Sequence, residues 1–481
     1  MKASRREVVA GLAATAAAGG AAGLLPRTLR AAPRRSDVLV IGAGLSGLHA
    51  ATQLQELGID VQVIEANTRV GGRVWTRREL HGRPETGAHQ VGANYGRVRD
   101  NCRKYGVVLE DPLPGNAGEL NVFEFAVSTQ GSQVRKEPWS ASELAKLAPA
   151  ERAIPPYDLY KHYIKENPLP GPEAADDPRF AAYRTMSLRD LFRQRGASDA
   201  ALQILEGQSI AASLADYCAL DELKRWAIWR LDGQRGTYSV MRDGTSALPE
   251  AMARALAQPV ALGRTVVAIQ EERDGVRVSC ADGEVWQARY VICSIPLGVL
   301  RRTRLDLPLA ANQRKAIAEL PYSSQIQVYL RPLRRFWEDD GLPRNTWTDG
   351  PLEVVMWAPS HTAPEGYIHT AINGWQADAV RKVPPDQRKD YVLKTLAQIR
   401  PATAGAVEYL TSHDFETSRF TRGAYCYLKP GQYGAIGDAL QRPAGRVHFC
   451  GEHASNLFAG MEGACESGEH AVLALAQRLQ A

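Results

Sequence analysis

Three glycines at Gly42-Ala-Gly44-Leu-Ser-Gly47 are followed by an acid, Glu65, and then by Arg69-Val-Gly71-Gly72-Arg73. Those residue types at those spacings suit one task. Gly42 makes a tight turn, Gly44 lets bare backbone approach a pyrophosphate, and Gly47 lets a helix pack closely on a strand. The pyrophosphate charge would sit on the helix N-terminus. Glu65 can accept hydrogen bonds from ribose hydroxyls and would repel a 2′-phosphate. Gly71 and Gly72 add more bare backbone, and the flanking arginines add positive charge near a diphosphate. The seven cysteines (Cys102, Cys218, Cys280, Cys293, Cys426, Cys450, Cys465) form no Cys-x-x-Cys pair. That argues against a structural zinc site and a thioredoxin-type centre. Their odd number leaves at least one thiol free, and burial as small apolar side chains is the expectation for most.

The elements that must position these residues are legible around them. Asp37-Val-Leu-Val-Ile41 reads as a buried parallel strand running into the glycine turn. Leu48, Ala51, Leu54 and Leu57 recur at helical spacing, and Gly58 offers a C-terminal stop. A second strand, Val61-Gln-Val-Ile64, delivers Glu65. This unit predicts an α/β fold with a Rossmann-type domain. No second Gly-x-Gly-x-x-Gly follows a later strand, so no separate NADPH site is expected and the substrate is expected to reduce a flavin, FAD, directly. Near the C-terminus, Val447-His-Phe-Cys450 reads as a strand and Gly451-Glu452 as a turn beside the phosphates. Gly460 to Gly468 opens a helix whose N-terminus would stabilise negative charge on the flavin's N1 and C2 carbonyl.

Between these motifs, residues 116–236 read mainly as helices, with loops at Pro155-Pro156 and from Pro168 to Pro178. Trp226 and Trp229, three apart on a helix, read as hydrophobic core rather than as a substrate wall. Residues 311–424 mix strands (325–330, 367–373) with a helix over 386–398.

Composition bounds the alternatives. At 481 residues, 44% hydrophobic and 23% charged, the chain suits two or three globular domains. Residues 1–36 carry a net +6 of the chain's +5, which leaves the body at −1 and argues against nucleic acid as a partner. The basic charge belongs to a leader. Ser4-Arg5-Arg6-Glu7-Val8-Val9 precedes an Ala/Gly-rich apolar stretch too weakly hydrophobic for a membrane helix. The leader resembles a twin-arginine signal, which exports folded, cofactor-loaded proteins. It implies a periplasmic or secreted protein, with no membrane span in the mature chain and a mature start near Ala32.

Taken together, residues 36–481 resemble the FAD-dependent amine oxidase family of monoamine, polyamine and L-amino acid oxidases. The resemblance rests on the motifs above and on four more. They are Glu85-Thr-Gly-Ala88-His89-Gln90-Val-Gly92, Arg242-Asp-Gly244-Thr-Ser-Ala-Leu248-Pro, Thr265-Val266-Val267, and Val291-Ile-Cys-Ser-Ile-Pro296. The C-terminal set is Cys450-Gly451-Glu452-His453, Gly460-Met461-Glu-Gly-Ala464 and Ser467-Gly468. The resemblance implies a Rossmann-type FAD domain over 36–115, 237–310 and 425–481. It implies an interleaved α+β substrate domain over 116–236 and 311–424, preceded by the signal at 1–35. It places Ala88, His89, Val266, Gly451, Glu452, Gly460 and Met461 with Gly42, Gly44, Gly47, Glu65, Arg69, Gly71, Gly72 and Arg73 around FAD, and requires no metal. His89 is read as an oriented structural histidine rather than a base. The implied reaction is hydride transfer from the α-carbon of a primary or secondary amine to flavin N5, followed by hydrolysis of the imine to a carbonyl compound.

Departures from the family pattern are as informative as the matches. Tyr425 matches one ring of the pair that flanks the amine, but Gly460 stands where the second belongs; Trp375 and Phe458 are candidate replacements. Ala424 occupies the place of the cysteine that bonds flavin in monoamine oxidases, which implies non-covalent FAD; Cys426 would share its face in an alternating strand. Gln327 stands where a lysine usually holds a water linked to reaction with oxygen, so either O2 or a periplasmic carrier is the expected acceptor. Gln90 replaces an arginine that grips substrate carboxylates, which favours amines over amino acids. An L-amino acid oxidase, a desaturase-type flavoprotein and a redox-inert flavin-binding protein remain the rival readings. Oligomeric state is open, a homodimer included.

Overall fold

The computed structural model describes residues 34–111, 124–235, 238–457 and 459–480. The leader, except for its last two residues, and Phe458 lie outside them.

The first strand, β1 (Arg34–Ile41), is flanked by Val61–Ile64 (β2) on one side and Val285–Cys293 on the other, both parallel. Its alternation sorts its side chains. Leu39 and Ile41 enter one core cluster with Ile269, Val278 and Phe449, whereas Val38 and Val40 enter another with Leu48, Leu54 and Val63. A strand buried on both faces must be apolar throughout, which is why the run from Val38 to Ile41 is uninterrupted. The sheet continues antiparallel through Gly275–Cys280 and Val266–Glu272, ends at Arg304–Asp306, and takes Val447–Phe449 alongside Val285–Cys293. Residues far apart in sequence are thereby brought to the carboxyl ends of β1 and its neighbours.

A second sheet has six strands in the order 407–414, 325–332, 367–373, 354–358, 345–348, 125–128. The expected strands at 325–330 and 367–373 appear as Gln325–Pro332 and Tyr367–Asn373, and the expected helix as Arg388–Ile399. One face of this sheet packs Ile326, Val328 and Ile368 against Val380, Val392 and Leu396 of its covering helices. A third cluster joins the helices between Trp139 and Ala227. Six cysteines are buried, Cys426 is partly buried, and all seven are free thiols. No helix among the described residues is long and apolar enough to cross a membrane.

Three helices position the site. The first, α1 (Leu45–Glu56), starts at the glycine turn with Gly44 as N-cap and no side-chain cap. Its first N–H groups are therefore left for a ligand. A Cβ on Gly47 would lie 2.0 Å from the Gly42 carbonyl oxygen, so the turn and helix meet only because Gly47 is bare. The second, α2, covers Ala219–Arg235, and the third, α3, covers Gly460–Gln480. The end of α3 faces the same space as the end of α1, and the two helices pack against each other, with Gly468 against the Ser46 carbonyl.

Candidate active site

One cavity of about 2040 Å³ gathers nearly all the residues singled out above. Ligand pockets commonly measure about 300–1,000 Å³, so this one has room for a dinucleotide and a second molecule. Gly42, Gly44, Glu65, Arg69, Gly71, Gly72, Arg73, Ala88, His89, Gln90, Val266, Gln327, Tyr425, Gly451, Glu452, Gly460 and Met461 line it. Gly47 does not; it lies beneath the turn, where it permits the packing described above.

The dinucleotide cradle fits a pyrophosphate. A Cβ on Gly44 would meet no protein atom within 4 Å and would occupy the cavity instead. Gly71 pairs with Gly44 across the turn, and Gly72 approaches so closely that its Cβ would lie 3.5 Å from the Gly44 Cα. Glu65 has a structural duty that its spacing did not reveal. Its two carboxylate oxygens accept from the Ala43 and Asn67 N–H groups, each at 2.7 Å, which clamps the turn to the end of β2. A carboxylate has about four acceptor sites, so two stay available for ribose hydroxyls. Burial pushes its pKa up while those N–H groups oppose the rise.

The two arginines supply less free charge than their sequence positions suggest. Arg69 donates to the carbonyls of Val70 (3.0 Å) and Gly72 (2.8 Å) and lies 4.3 Å over the Trp75 ring. It holds the glycine pair in shape. Arg73 donates to the Ala424 carbonyl (2.7 Å) and forms a partly buried ion pair with Glu452 (2.8 Å). Burial alone would disfavour ionisation of Glu452, but the Arg73 guanidinium holds its carboxyl below the usual range. Gly451, at φ 127°, makes the turn that presents Glu452; a Cβ there would strike the His453 ring at 2.5 Å.

Tyr425 lines the cavity beside the second sheet. Its hydroxyl accepts from Gln325 Nε2 (3.1 Å) and donates to Asn373 Oδ1 (3.3 Å). Asn373 donates through its backbone N–H (2.7 Å) and side-chain amide (3.2 Å) to the buried Glu353. Burial pushes Tyr425 up to about 12, against the pull of the nearby Arg225 guanidinium, and pushes Glu353 up to about 8. Burial lowers His89, His369 (to about 3) and His413 (to about 4), so these imidazoles are neutral near pH 7.

Gln327 is buried, and its amide orientation is set by its partners. Gly87 N–H can only donate, so the atom it meets at 2.9 Å is the carbonyl Oε1; the Tyr329 hydroxyl reaches the same oxygen at 2.7 Å. The amino group has no acceptor among the described residues, on a side chain that lines the cavity.

Several sequence expectations change here. Trp375 is 43% exposed and does not line the cavity, so it replaces no cage ring. Gly460 has φ 63°, a left-handed conformation that strains any aromatic residue, and the Tyr95 hydroxyl lies 3.8 Å from where its Cβ would be. Tyr95, which carried no sequence signal, is the ring beside the gap. Trp226 is partly buried and packs against the helical core cluster, as expected, but it also lines the cavity; Trp229 is not core. Together with Glu222 and Arg225 they form one face of α2 at helical spacing, and that face lines the cavity, with Trp229 48% exposed. Cys426 does not line this cavity, because residues 424–427 form no extended strand and the alternation that would align it with Ala424 fails.

A dinucleotide cradle and an aromatic pocket that share one cavity, on this pair of interleaved sheets, define a flavoprotein oxidoreductase. Residues 45–476 match the family of flavin containing amine oxidoreductases, and the chain belongs to that family; its cofactor is FAD. It is 24% identical to the human amine oxidase [flavin-containing] B over 471 residues, covering 91% of this chain and 85% of that one. It is 25% identical to the L-amino acid oxidase of Cerastes cerastes over 452 residues, covering 91% and 86%. Among solved structures it is similar to a cofactor-binding redesign of putrescine oxidase (TM-score 0.76, 22% identity, 93% of this chain and 100% of that chain). It is also similar to cyclohexylamine oxidase from Brevibacterium oxydans (TM-score 0.75, 22% identity, 93% and 100%).

Proposed function

We propose that the protein oxidises a primary or secondary amine at its α-carbon, with the imine then hydrolysed to a carbonyl compound. Bound FAD supplies the hydride acceptor, its N5, and non-covalent attachment follows from Ala424 and from the placement of Cys426 outside the cavity. The observation that carries this reading is that Tyr425 and the dinucleotide cradle open on one cavity. Tyr425 and Tyr95 present apolar ring surface, which favours an uncharged amine over the ammonium. Neutral His89, His369 and His413 add no positive charge against the amine as its C–H bond weakens. The N-terminus of α3, at Gly460 and Met461, directs backbone N–H groups where negative charge accumulates. Gln327 can hold a water by its amino group but brings no charge, which supports O2 or a periplasmic carrier as the electron acceptor. Segments 36–115, 237–310 and 425–481 carry the cofactor, and 116–236 with 311–424 carry the substrate. Export through the twin-arginine-type leader places the enzyme in the periplasm or outside the cell; a reporter fused behind residues 1–35 tests this by its dependence on the arginine pair.

The deciding experiment mixes the purified holoenzyme anaerobically with panels of amines and amino acids and follows flavin absorbance. Bleaching by some member supports the reading, and admitting oxygen then separates oxidase from dehydrogenase. Absence of bleaching by every member overturns it. Acid precipitation that leaves all flavin in the supernatant supports non-covalent attachment.

A further inference from the structure

Arg225 is a mostly buried cation of the cavity wall that makes ion pairs but no hydrogen bond among the described residues. It lies on α2, lines the cavity that Tyr425 lines, and its side chain is 17% exposed. Its closest carboxylates are Glu222, at 3.6 Å from Nε, and Asp221, at 4.0 Å, both beyond hydrogen-bond length. The Nε is buried without a hydrogen-bond partner, and no acceptor among the described residues hydrogen-bonds any of the guanidinium's five donors. The neighbouring acids are partly engaged by other donors. Glu222 accepts from the Tyr160 hydroxyl (2.8 Å), the Tyr217 hydroxyl (2.5 Å) and the Trp226 indole (2.9 Å), and Asp221 accepts from Leu428 N–H (3.1 Å). A mostly buried guanidinium without hydrogen bonds is costly unless something supplies the acceptors.

We propose that Arg225 is the anchor for an anionic group of the substrate, and that the amine oxidised here carries a carboxylate. The inference rests on the amine-oxidation reading and narrows its substrate class. Gln90 offers no clamp from the segment where the family pattern puts one; Arg225 brings the charge from a different element and from the side of the cavity that holds Tyr425. A planar carboxylate would take two of the fork's donors side by side. The rest of the outer wall agrees in sign, since Lys161, Lys165, Arg230 and Arg419 also line the cavity. A diamine would need an uncommitted carboxylate for its second ammonium. On this side Glu222 already accepts from three donors, Asp414 is paired with Arg381 at 3.0 Å, and Asp158 is exposed.

The test compares matched pairs on the holoenzyme: L-phenylalanine with 2-phenylethylamine, L-leucine with 3-methylbutylamine, and 4-aminobutanoate with butylamine. The expected result is a kcat/KM for flavin reduction that is higher for the carboxylate member of at least one pair. Arg225→Met should lower it about 100-fold or more, mainly through KM, while the amine member changes little. Arg225→Lys should keep part of the preference. Benzoate should perturb the flavin spectrum of the native protein and of Arg225→Lys but not of Arg225→Met, a readout that needs neither turnover nor a known substrate. The proposal is overturned if the amine members react as well as their partners. It is equally overturned if Arg225→Met slows both members alike or sheds flavin, or if benzoate binding survives the substitution. Bleaching by amines alone would sink this inference and leave amine oxidation standing; bleaching by neither member of any pair would sink amine oxidation itself.

Discussion

At the scale of single residues, Tyr425 and Gln327 carry the sharpest expectations. Tyr425 contributes a ring face, and its hydroxyl serves the Gln325–Asn373–Glu353 network behind it. Tyr425→Phe should therefore retain the rate of flavin reduction within a few-fold, whereas Tyr425→Ala should lose ~10–100-fold in stopped-flow measurements. Because burial holds the phenol near 12, the rate profiles of the native protein and Tyr425→Phe should have the same shape up to pH 10. A divergence below that pH would show that the hydroxyl ionises during the reaction. Gln327 Oε1 accepts from Gly87 N–H and lies 2.7 Å from the Tyr329 hydroxyl, which also reaches the Glu85 carbonyl at 2.8 Å. A lysine there has no acceptor and would leave Gly87 N–H facing a cation, whereas the Tyr329 hydroxyl keeps its donation to the Glu85 carbonyl. Gln327→Lys should cost about 2–4 kcal/mol in denaturant unfolding, and an unchanged midpoint would mean that the Oε1 contacts contribute little.

At the scale of elements, the β1–turn–α1 unit separates two roles that look alike in sequence. Gly44 has an ordinary φ of −75° and open space where a Cβ would go, whereas Gly47 has the Gly42 carbonyl 2.0 Å away. Gly44→Ala should thus leave the thermal midpoint of the flavin-free protein unchanged and weaken FAD binding by ten-fold or more, because the methyl stands in the cradle. Gly47→Ala should lower the midpoint of the flavin-free protein as well. Equal effects of the two substitutions on that midpoint would contradict the geometry. The face of α2 works in the same way: Glu222, Arg225, Trp226 and Trp229 recur at the spacing of a core stripe, yet here the stripe also faces a cavity.

At the scale of the whole molecule, the hydrogen-bonded set Glu353–Asn373–Tyr425 joins the second sheet to the cavity wall, and Glu353 links pH to stability there. Its folded pKa, near 8, lies above its usual value of 4.5 because burial disfavours the charge. A raised carboxyl contributes stability that is fully present below the unfolded pKa and is lost as pH rises through the folded one. Native stability should therefore fall relative to Glu353→Gln between about pH 4.5 and 8. The difference should reach about 2–5 kcal/mol and flatten above that window. Urea unfolding of both proteins at pH 5, 7 and 9 measures it, and a difference that does not vary with pH would remove Glu353 as the cause.

Sequence by itself determined the dinucleotide unit, because β1, the glycine turn and Glu65 are contiguous and each residue type answers a local geometric need. It also determined the order in which chain segments return to the cavity, since Val266, Gly451 and Gly460 each sit in a motif with its own spacing. Tertiary structure alone decided what those residues have left to offer. Arg73 has its charge engaged by Glu452, 379 positions away, and Gln327 has its oxygen engaged by Gly87, 240 positions away. The ring beside Gly460 is that of Tyr95, and the cavity-wall guanidinium without a hydrogen bond among the described residues is that of Arg225. A residue's local pattern reports which face it shares; only the packed chain decides what that face meets, and a core stripe and a cavity wall have the same period.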